Sequence, residues 1–411
     1  MKSSRENDNF RGDQNPMYMA YQSAGILMLL LVLAAVVSVE PAVSLPQFAM
    51  INGEKCIACH VNALGSGLRT TRGFYEMHEA GLLKPGKVGL GSIYRHDRET
   101  NQFLGDRFSF GTDMRYQTTR TPKSSDAKRR YFPMQFSMYS TFKVSPCLKA
   151  EGSYNFGPKK FLGQQKWTGS LILQPENSYT QLRAGYFQPS IGIRYDDHTI
   201  ITRQTAGANG SSLIPPSYAE YGAEFNYNGM DWLTVTTGVF GARSLAENRI
   251  LDRTGKEISL ITDRNNPSFL GRLEFRHRAM DRNVNLLAGS SVLVNGDFNL
   301  ISIFASAGLA KRVSLISEYA RSDKKGMRRT HNGVVDVSCR VTKPLLLYVR
   351  GERGISRFSP DISAAEVYTN RVVFGAQIFP IPYVELRPEY RLVDTEQYKS
   401  SRYAVQLHLF Y

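Results

Sequence analysis

From about Asp106 to its last residue, the chain is a series of roughly ten-residue segments in which polar and apolar residues alternate. Alternation over segments of this length is typical of the strands of a transmembrane β-barrel. The segments are too numerous for one soluble sandwich, whose core is limited in size. The stretch YVELRPEYRL shows the pattern most clearly, because one face would hold Tyr383, Glu385, Arg387, Glu389 and Arg391 and the other Val384, Leu386, Pro388 and Tyr390.

The segments predict an all-β fold, a transmembrane antiparallel barrel of about sixteen strands over residues 106–411, an even number typical of bacterial barrels. Long polar loops at one end and tight turns at the other predict the outer membrane of a Gram-negative bacterium, with both chain ends in the periplasm. The chain ends on the aromatic Tyr411, an ending that barrel-assembly machinery commonly recognises.

The predicted strand starts lie near Arg107, Tyr131, Leu148, Lys166, Ser178, Tyr218, Trp232, Ser268, Val284, Phe298, Val313, Gly333, Pro344, Val367, Pro382 and Arg402. Long loops are predicted around Lys123, Lys160, Asn209, Lys256, Lys325, Asp361 and Glu396, and tight turns at Pro146, Pro175, Gly229, Asp281, Lys311, Lys343 and Pro380.

An apolar segment near the N-terminus reads as the core of a signal peptide. It runs from Ile26 to Val39 and is shorter than the roughly 20 residues that a membrane-spanning helix needs. Basic residues precede it, and the small-x-small sequence Ala42-Val43-Ser44 has the form of a cleavage site. Residues 1–44 are therefore predicted to be removed, so that the mature chain starts at Leu45.

The chain has a formal net charge of +15. Its basic residues are spread along the whole sequence, and no zinc-finger, RNA-recognition or helix-turn-helix pattern surrounds them, so we expect no nucleic acid partner. A membrane surface rich in phosphate suits such a charge, which makes outer-membrane lipid the expected partner.

Two of the four cysteines and a histidine stand together in Cys56-Ile57-Ala58-Cys59-His60. CxxCH is the attachment sequence for c-type haem, in which both thiols bind the porphyrin and the histidine reaches the iron. A disulfide oxidoreductase would need a thioredoxin-like βαβ context, and a zinc site a second pair of ligands close by. Neither context is visible in the sequence, and both readings stay open as alternatives. We therefore predict one covalent haem c bound by Cys56, Cys59 and His60.

The sixth ligand of the haem iron is predicted from the stretch GFYEMHEAGLL. Its first candidate is His78 and its second Met77, with His96 and Met50 as further possibilities. An axial methionine would raise the reduction potential relative to a second histidine. The sequence leaves the choice open.

The N-terminal stretch LPQFAMINGEKCIACH resembles the fused monohaem cytochrome and porin family of the outer membrane, best known as the iron oxidase of iron-oxidising bacteria. The resemblance covers Pro-x-Phe-Ala, a glycine and CxxCH soon after a signal peptide, followed by a barrel of about sixteen strands. It departs from the family at Met50, where the family usually has arginine. The resemblance implies residues 45–105 as a cytochrome segment and 106–411 as the barrel.

Residues 45–105 are too few to bury a full cytochrome core. We therefore expect this segment inside or at the mouth of the barrel, whose sixteen strands leave a lumen. The segment would be held by lumen-facing Arg107, Arg183, Glu224, Arg272, Glu385 and Arg387.

Electron transfer across the outer membrane is the predicted function, and no catalytic triad or acid/base pair is visible. The resemblance implies ferrous iron as an extracellular electron donor, with a periplasmic c-type cytochrome as the acceptor. We hypothesise that Asp196, Asp197 and His198 offer oxygen and nitrogen ligands to that iron, while a loop folded into the lumen and pinned by Arg194 and Arg203 is an equal possibility. A porin for small solutes with a haem-bearing periplasmic segment, and a structural or redox-sensing barrel, remain as alternatives.

Overall fold

A computed structural model describes most of the chain from Pro46 to Tyr411. The described residues are 46–411 except 66, 79, 85–86, 88, 90–100, 121–129, 158–165, 195–199, 209, 216–217, 253 and 359–365. The predicted signal peptide therefore lies outside the described residues.

Sixteen antiparallel strands form one closed barrel, as the sequence predicts. Each strand pairs with its neighbour in the sequence, and the last strand pairs with the first to close the sheet. The strands are β1 Phe108–Arg120, β2 Arg130–Lys143, β3 Leu148–Asn155, β4 Trp167–Leu173, β5 Gln181–Phe187, β6 Glu220–Met230, β7 Leu233–Phe240, β8 Ser268–Ala279, β9 Val284–Asn295, β10 Phe298–Leu309, β11 Val313–Lys324, β12 Arg328–Thr342, β13 Leu345–Phe358, β14 Glu366–Ile381, β15 Val384–Thr395 and β16 Lys399–Phe410.

The barrel is polar inside and apolar outside, the inverse of a soluble protein. On β15 the inward-facing Glu385, Arg387 and Glu389 are buried in the lumen wall. Outward-facing side chains such as Ile303 and Val405 are exposed. Strands with an apolar outer face and a polar lumen are those of a transmembrane barrel.

The connections at one end of the barrel are all tight. They lie at 144–147, 174–180, 231–232, 280–283, 310–312, 343–344 and 382–383. The other end is mixed, because the long loops predicted at Lys325 and Glu396 are in fact turns of residues 325–327 and 396–398. The loops predicted at Lys123, Lys160 and Asp361 lie outside the described residues. In outer-membrane barrels the end with short turns faces the periplasm.

The segment before β1 fills the lumen at the short-turn end, and we call residues 46–84 the plug. It contains helices α1 Pro46–Asn52, α2 Cys56–Cys59 and α3 Thr71–His78, and the two-residue strand Gln102–Phe103 then leads into β1. Among the described residues, no helix is long and apolar enough to cross a bilayer. The plug side chains Phe48, Phe74 and Met77 share a buried cluster with the barrel residues Tyr348, Phe379 and Phe410.

The seam between β1 and β16 also contacts the plug. The backbone amides of Thr112 and Tyr411 donate to each other's carbonyl oxygens at 3.1 and 3.0 Å. Next to this pair, Gly111 leaves room for both the Leu68 side chain of the plug and the carbonyl oxygen of Tyr411, each of which would stand 2.8 Å from a Cβ at this position. The first strand, the last residue and the plug therefore meet at one point.

The connection between β5 and β6, residues 188–219, enters the lumen, and we call it the transverse loop. Ser190 donates to Glu224 on β6, the amide of Ile201 to Glu352 on β13 and the amide of Ala206 to Ser356. Above it, the β7–β8 connection contributes helix α4 Arg243–Glu247 and the short strands Arg249–Leu251 and Glu257–Ser259. Its apolar residues, including Leu245 and Leu260, share a buried core with Leu213 and Ile214 of the transverse loop.

Candidate functional site

The CxxCH motif forms the single-turn helix α2 and the residue that follows it. The amide of His60 donates to the carbonyl of Cys56 at 3.0 Å, which closes the turn. Lys55, the residue before the helix, donates its amine to the carbonyl of Met230 at 2.7 Å. This bond ties the start of α2 to the short turn between β6 and β7. Because Cys56 and Cys59 are three residues apart, their side chains leave neighbouring positions of one helical turn.

Glu54 fixes the loop before α2 to the barrel and to α3. Its carboxylate accepts from Arg72 of α3 at 3.0 Å and from Arg282 in the β8–β9 turn at 2.6 Å. Its backbone carbonyl accepts from Arg276 of β8 at 2.6 Å. One arginine of the plug and two of the barrel therefore hold Glu54, which lies two residues before the motif.

Helix α3 packs closely against α2. Thr70 precedes α3 and accepts from the amide of Gly73 at 3.3 Å, and its own hydroxyl donates to the carbonyl of Ala58 at 2.9 Å. Thr70 is thus an N-cap for α3 that also contacts α2. A Cβ built at Gly73 would overlap the carbonyl oxygen of Cys59, so this approach of the two helices requires glycine.

The side chains of Cys56 and His60 flank Gly65. A Cβ at Gly65 would stand 3.5 Å from both the Cβ of Cys56 and the Cδ2 of His60. His60 is buried, with 6% of its surface exposed. Burial raises the pKa of the Cys56 thiol and raises that of Cys59 to about 11. Both thiols are therefore neutral near pH 7, unlike the thiolate of a disulfide oxidoreductase.

A cavity lies between the plug, the barrel wall and the transverse loop. Cys56 and Met50 line it from the plug, and Gly192, Ile193 and Arg194 from the transverse loop. Part of the wall is apolar, with Leu287, Phe304 and Ile316. Cys59 faces a different neighbourhood, because the charged groups that act on it include Arg72 and Glu76 of α3.

The opposite part of the cavity wall is polar and cationic. Arg272 and Arg276 both bind Glu274, and the guanidinium of Arg272 also stacks over the ring of Phe304 at 4.9 Å. With Lys55 and Arg194, four cationic side chains and one carboxylate line the cavity, a formal net charge of +3. The sequence offered no signal that joins these five charged residues, since they come from three separate segments of the chain.

The candidate sixth ligands occupy different places. Met77, 1% exposed, packs in the aromatic cluster of the plug, whereas Met50, 5% exposed, lines the cavity together with Cys56. His78 is the last residue of α3, and its side chain lies outside the described part of the chain, as does His96. Of these two methionines, Met50 is therefore the one that lines the same cavity as Cys56.

The predicted ferrous site, Asp196, Asp197 and His198, lies outside the described residues. Its flanks are inside the lumen, since Arg194 lines the cavity and the amide of Ile201 binds Glu352. Arg203 donates to the carbonyls of Ile191 and Ile193 at 2.8 and 3.0 Å, the pinning that the sequence offered as one possibility.

Five of the six residues predicted to face the lumen are buried there: Arg183, Glu224, Arg272, Glu385 and Arg387. Of these five residues, Arg272 also lines the cavity that plug residues line. Arg107 is different, because it is exposed in the turn that precedes β1. Among the residues that the structure describes, no group of three or more His, Cys, Asp or Glu side chains could hold a metal ion.

The barrel resembles solved porin structures. It is 12% identical to OmpF of Salmonella typhi, solved in complex with daunomycin, with a TM-score of 0.52 over 75% of this chain and 100% of that chain. It is 8% identical to OprB of Pseudomonas putida, with a TM-score of 0.50 over 80% of this chain and 97% of that chain. No protein-family model and no curated protein matches the chain. The chain therefore has a porin-like β-barrel fold.

Proposed function

We propose that this protein lies in the outer membrane of a Gram-negative bacterium and moves electrons across it with one covalent haem c held in the lumen. The observation that supports the proposal is a CxxCH turn carried by a plug inside a closed barrel, with Cys56 at the wall of a cavity. The proposal includes a place among the fused cytochromes and porins that the N-terminal sequence resembles.

The motif and the cavity beside it suit a haem, because Cys56 lines the cavity and Cys59 and His60 belong to the same turn of chain. Cys56 and Cys59 would hold it as thioethers, and His60 would be the proximal ligand. The cavity has apolar walls and a few polar groups, the mixture that is typical of cofactor sites. When bound, the haem supplies reversible one-electron chemistry, which no amino acid side chain near the cavity provides.

The rest of the chain insulates and positions this site. The plug blocks the periplasmic half of the lumen, and the transverse loop and the core above it cover the outer half. The proposed extracellular electron donor is ferrous iron. It would be oxidised to ferric iron near the outer mouth of the barrel. Each electron would leave at the plug end to a periplasmic c-type cytochrome. Asp196, Asp197 and His198, in the transverse loop that also carries Arg194, remain the proposed iron ligands.

The test begins with covalent haem. Full-length protein purified from outer membranes should keep haem peroxidase staining on denaturing gels, and Cys59→Ala should lose most of it. Stopped-flow mixing of oxidised protein with ferrous iron at neutral pH should then reduce the haem. Intact haem, shown by dithionite, that ferrous iron leaves oxidised would contradict the choice of donor. A wild-type protein without covalent haem would contradict the whole proposal.

A porin for small solutes is the second candidate, and the likeness of the barrel to OmpF and OprB supports it. The two functions make opposite predictions for planar lipid bilayers. An electron-transfer barrel closed by its plug should show little conductance, whereas a porin should show stable open channels. Open channels in wild-type protein with a fully occupied haem would favour the porin.

A further inference from the structure

Two buried donors in the cavity wall have no acceptor among the described residues. The side-chain amide nitrogen of Asn228 and the Nε of Arg272 are both buried without a hydrogen-bond partner. The two residues are 8% and 6% exposed, and both line the cavity. Burying an unpaired donor is unfavourable, so such groups are usually satisfied by a ligand or an ordered water.

Another atom of each of these two side chains is already bound, which fixes its orientation. The Oδ1 of Asn228 accepts from Thr234 at 2.9 Å, leaving the NH₂ group as the free end of the amide. Arg272 is held by Glu274 on one side and by the ring of Phe304 on the other. The free ends are therefore donors, and no acceptor among the described residues reaches them.

Arg194 brings a third donor to the same cavity from the transverse loop. The positive charges of Arg203 and Arg183 repel this guanidinium. A cation close to other cations is stabilised by an anion. The one carboxylate that lines the cavity, Glu274, is already bound by Arg272 and Arg276.

We propose that this cavity is a carboxylate-binding site, in which Asn228, Arg272 and Arg194 donate to the carboxylate groups of an amphipathic ligand. Charge-assisted bonds from arginine to carboxylate are the strong ones of this kind. The apolar wall of Leu287, Phe304 and Ile316 suits the hydrophobic body of such a ligand. One source of such carboxylates is the pair of haem propionates, and for this source the inference rests on the proposed function. The other source is a free organic acid that enters a haem-free lumen.

The first arm of the test uses full-length haem-free protein, Cys56→Ala with Cys59→Ala, titrated with isophthalate by calorimetry. We expect binding that weakens at least tenfold in Asn228→Asp, which places a carboxylate where the free NH₂ lies. Arg194→Gln should weaken it as well. The matched control is Asn283→Asp, the same change of charge in an exposed periplasmic turn, which should leave binding unchanged. Heat-modifiable migration on gels shows that each variant is folded.

The second arm uses haem-loaded protein and distinguishes the two sources. If propionates occupy the site, loaded protein no longer binds isophthalate, and Asn228→Asp lowers the haem reduction potential relative to Asn283→Asp. Equal isophthalate binding by loaded and haem-free protein assigns the site to a free acid instead. No binding by folded haem-free protein, together with an unchanged potential in Asn228→Asp, overturns the proposal. A wild-type protein that never carries haem refutes the proposed function, yet the first arm still decides this site.

Discussion

The ring of Tyr383 stacks on that of Phe74, with centroids 4.9 Å apart, and the Tyr383 hydroxyl donates to the carbonyl of Phe74 at 3.2 Å. Tyr383 lies in the β14–β15 turn and Phe74 in helix α3. The plug is therefore attached to the short-turn end of the barrel by an aromatic contact and a hydrogen bond between the same two residues.

Phe74→Ala should loosen the plug, because it removes a buried aromatic ring that also contacts Tyr411. Such truncations cost about 3–5 kcal/mol in well-packed cores, whereas Tyr383→Phe, which removes only the hydroxyl, should cost about 0.5–1.5 kcal/mol. We expect faster proteolysis of the plug and higher bilayer conductance in Phe74→Ala. Tyr390→Phe, whose ring pairs with Tyr403 on the outer face, is the control and should behave as wild type. An unchanged conductance and proteolysis rate in Phe74→Ala would show that the plug does not depend on this contact.

Gly73→Ala should separate α3 from α2, since the added Cβ overlaps the carbonyl oxygen of Cys59. Overpacking of this kind costs about 1–3 kcal/mol. We expect less covalent haem per barrel, measured as the ratio of haem stain to protein. Gly351→Ala adds the same methyl group where no heavy atom lies within 4 Å and should leave the ratio unchanged. Equal ratios in both variants would refute the prediction.

Glu224→Ala should release the start of the transverse loop. Ser190 donates to this carboxylate through both its amide, at 2.9 Å, and its hydroxyl, at 2.7 Å. Hydrogen bonds to a charged group contribute about 1.5–3 kcal/mol each. Increased conductance of planar bilayers is the expected result. Glu224→Gln keeps an acceptor in place and should show a smaller increase, which separates loss of the bonds from loss of the charge.

Met50→Leu should lower the reduction potential of the haem, because the thioether of Met50 lines the same cavity as Cys56 and an axial methionine raises that potential. The sulfur-to-iron charge-transfer band of the ferric protein should disappear in the same variant. Met77→Leu makes the same change in the aromatic cluster and should preserve both signals. Loss of both signals in Met77→Leu and their retention in Met50→Leu would instead indicate that the sixth ligand lies in α3.

Acid should loosen the contact between the β7–β8 connection and the β9–β10 turn. Burial by itself raises the pKa of Asp297, but hydrogen bonds from Lys324 and Thr262 hold it below 3.8. A carboxyl whose pKa is lowered by folding stabilises the native state above its unfolded pKa and loses that contribution as the pH falls through its folded value. We therefore expect proteolysis within residues 241–267 to accelerate below about pH 3.8. In Asp297→Asn this acceleration should be absent, and its persistence would assign the pH dependence to other groups.

The strand pattern was predictable because the membrane imposes alternation on every segment. The predicted starts Leu148, Ser268, Val284, Phe298 and Val313 are the observed ones. At β12 the predicted start, Gly333, is five residues late, since the strand begins at Arg328. Its first residues are polar on both faces and read as a loop, yet Arg328, Thr330 and Asn332 are buried in a polar lumen.

The candidate site was only partly predictable. Cys56, Cys59 and His60 stand together in the sequence, so their spacing alone indicates their chemistry. The cavity beside them depends on which strands face each other across the lumen and on a loop that folds inward. Asn228, Arg272 and Arg194 come together only through that three-dimensional arrangement, and no local pattern marks them.

The meeting of Gly111, Leu68 and Tyr411 has a consequence for biogenesis. A barrel is completed when its first and last strands pair, and here that final pairing takes place against the plug. We therefore expect the plug to be in place when the last strand pairs with the first. We also expect any enzyme that modifies Cys56 and Cys59 to act before this pairing closes the barrel around them.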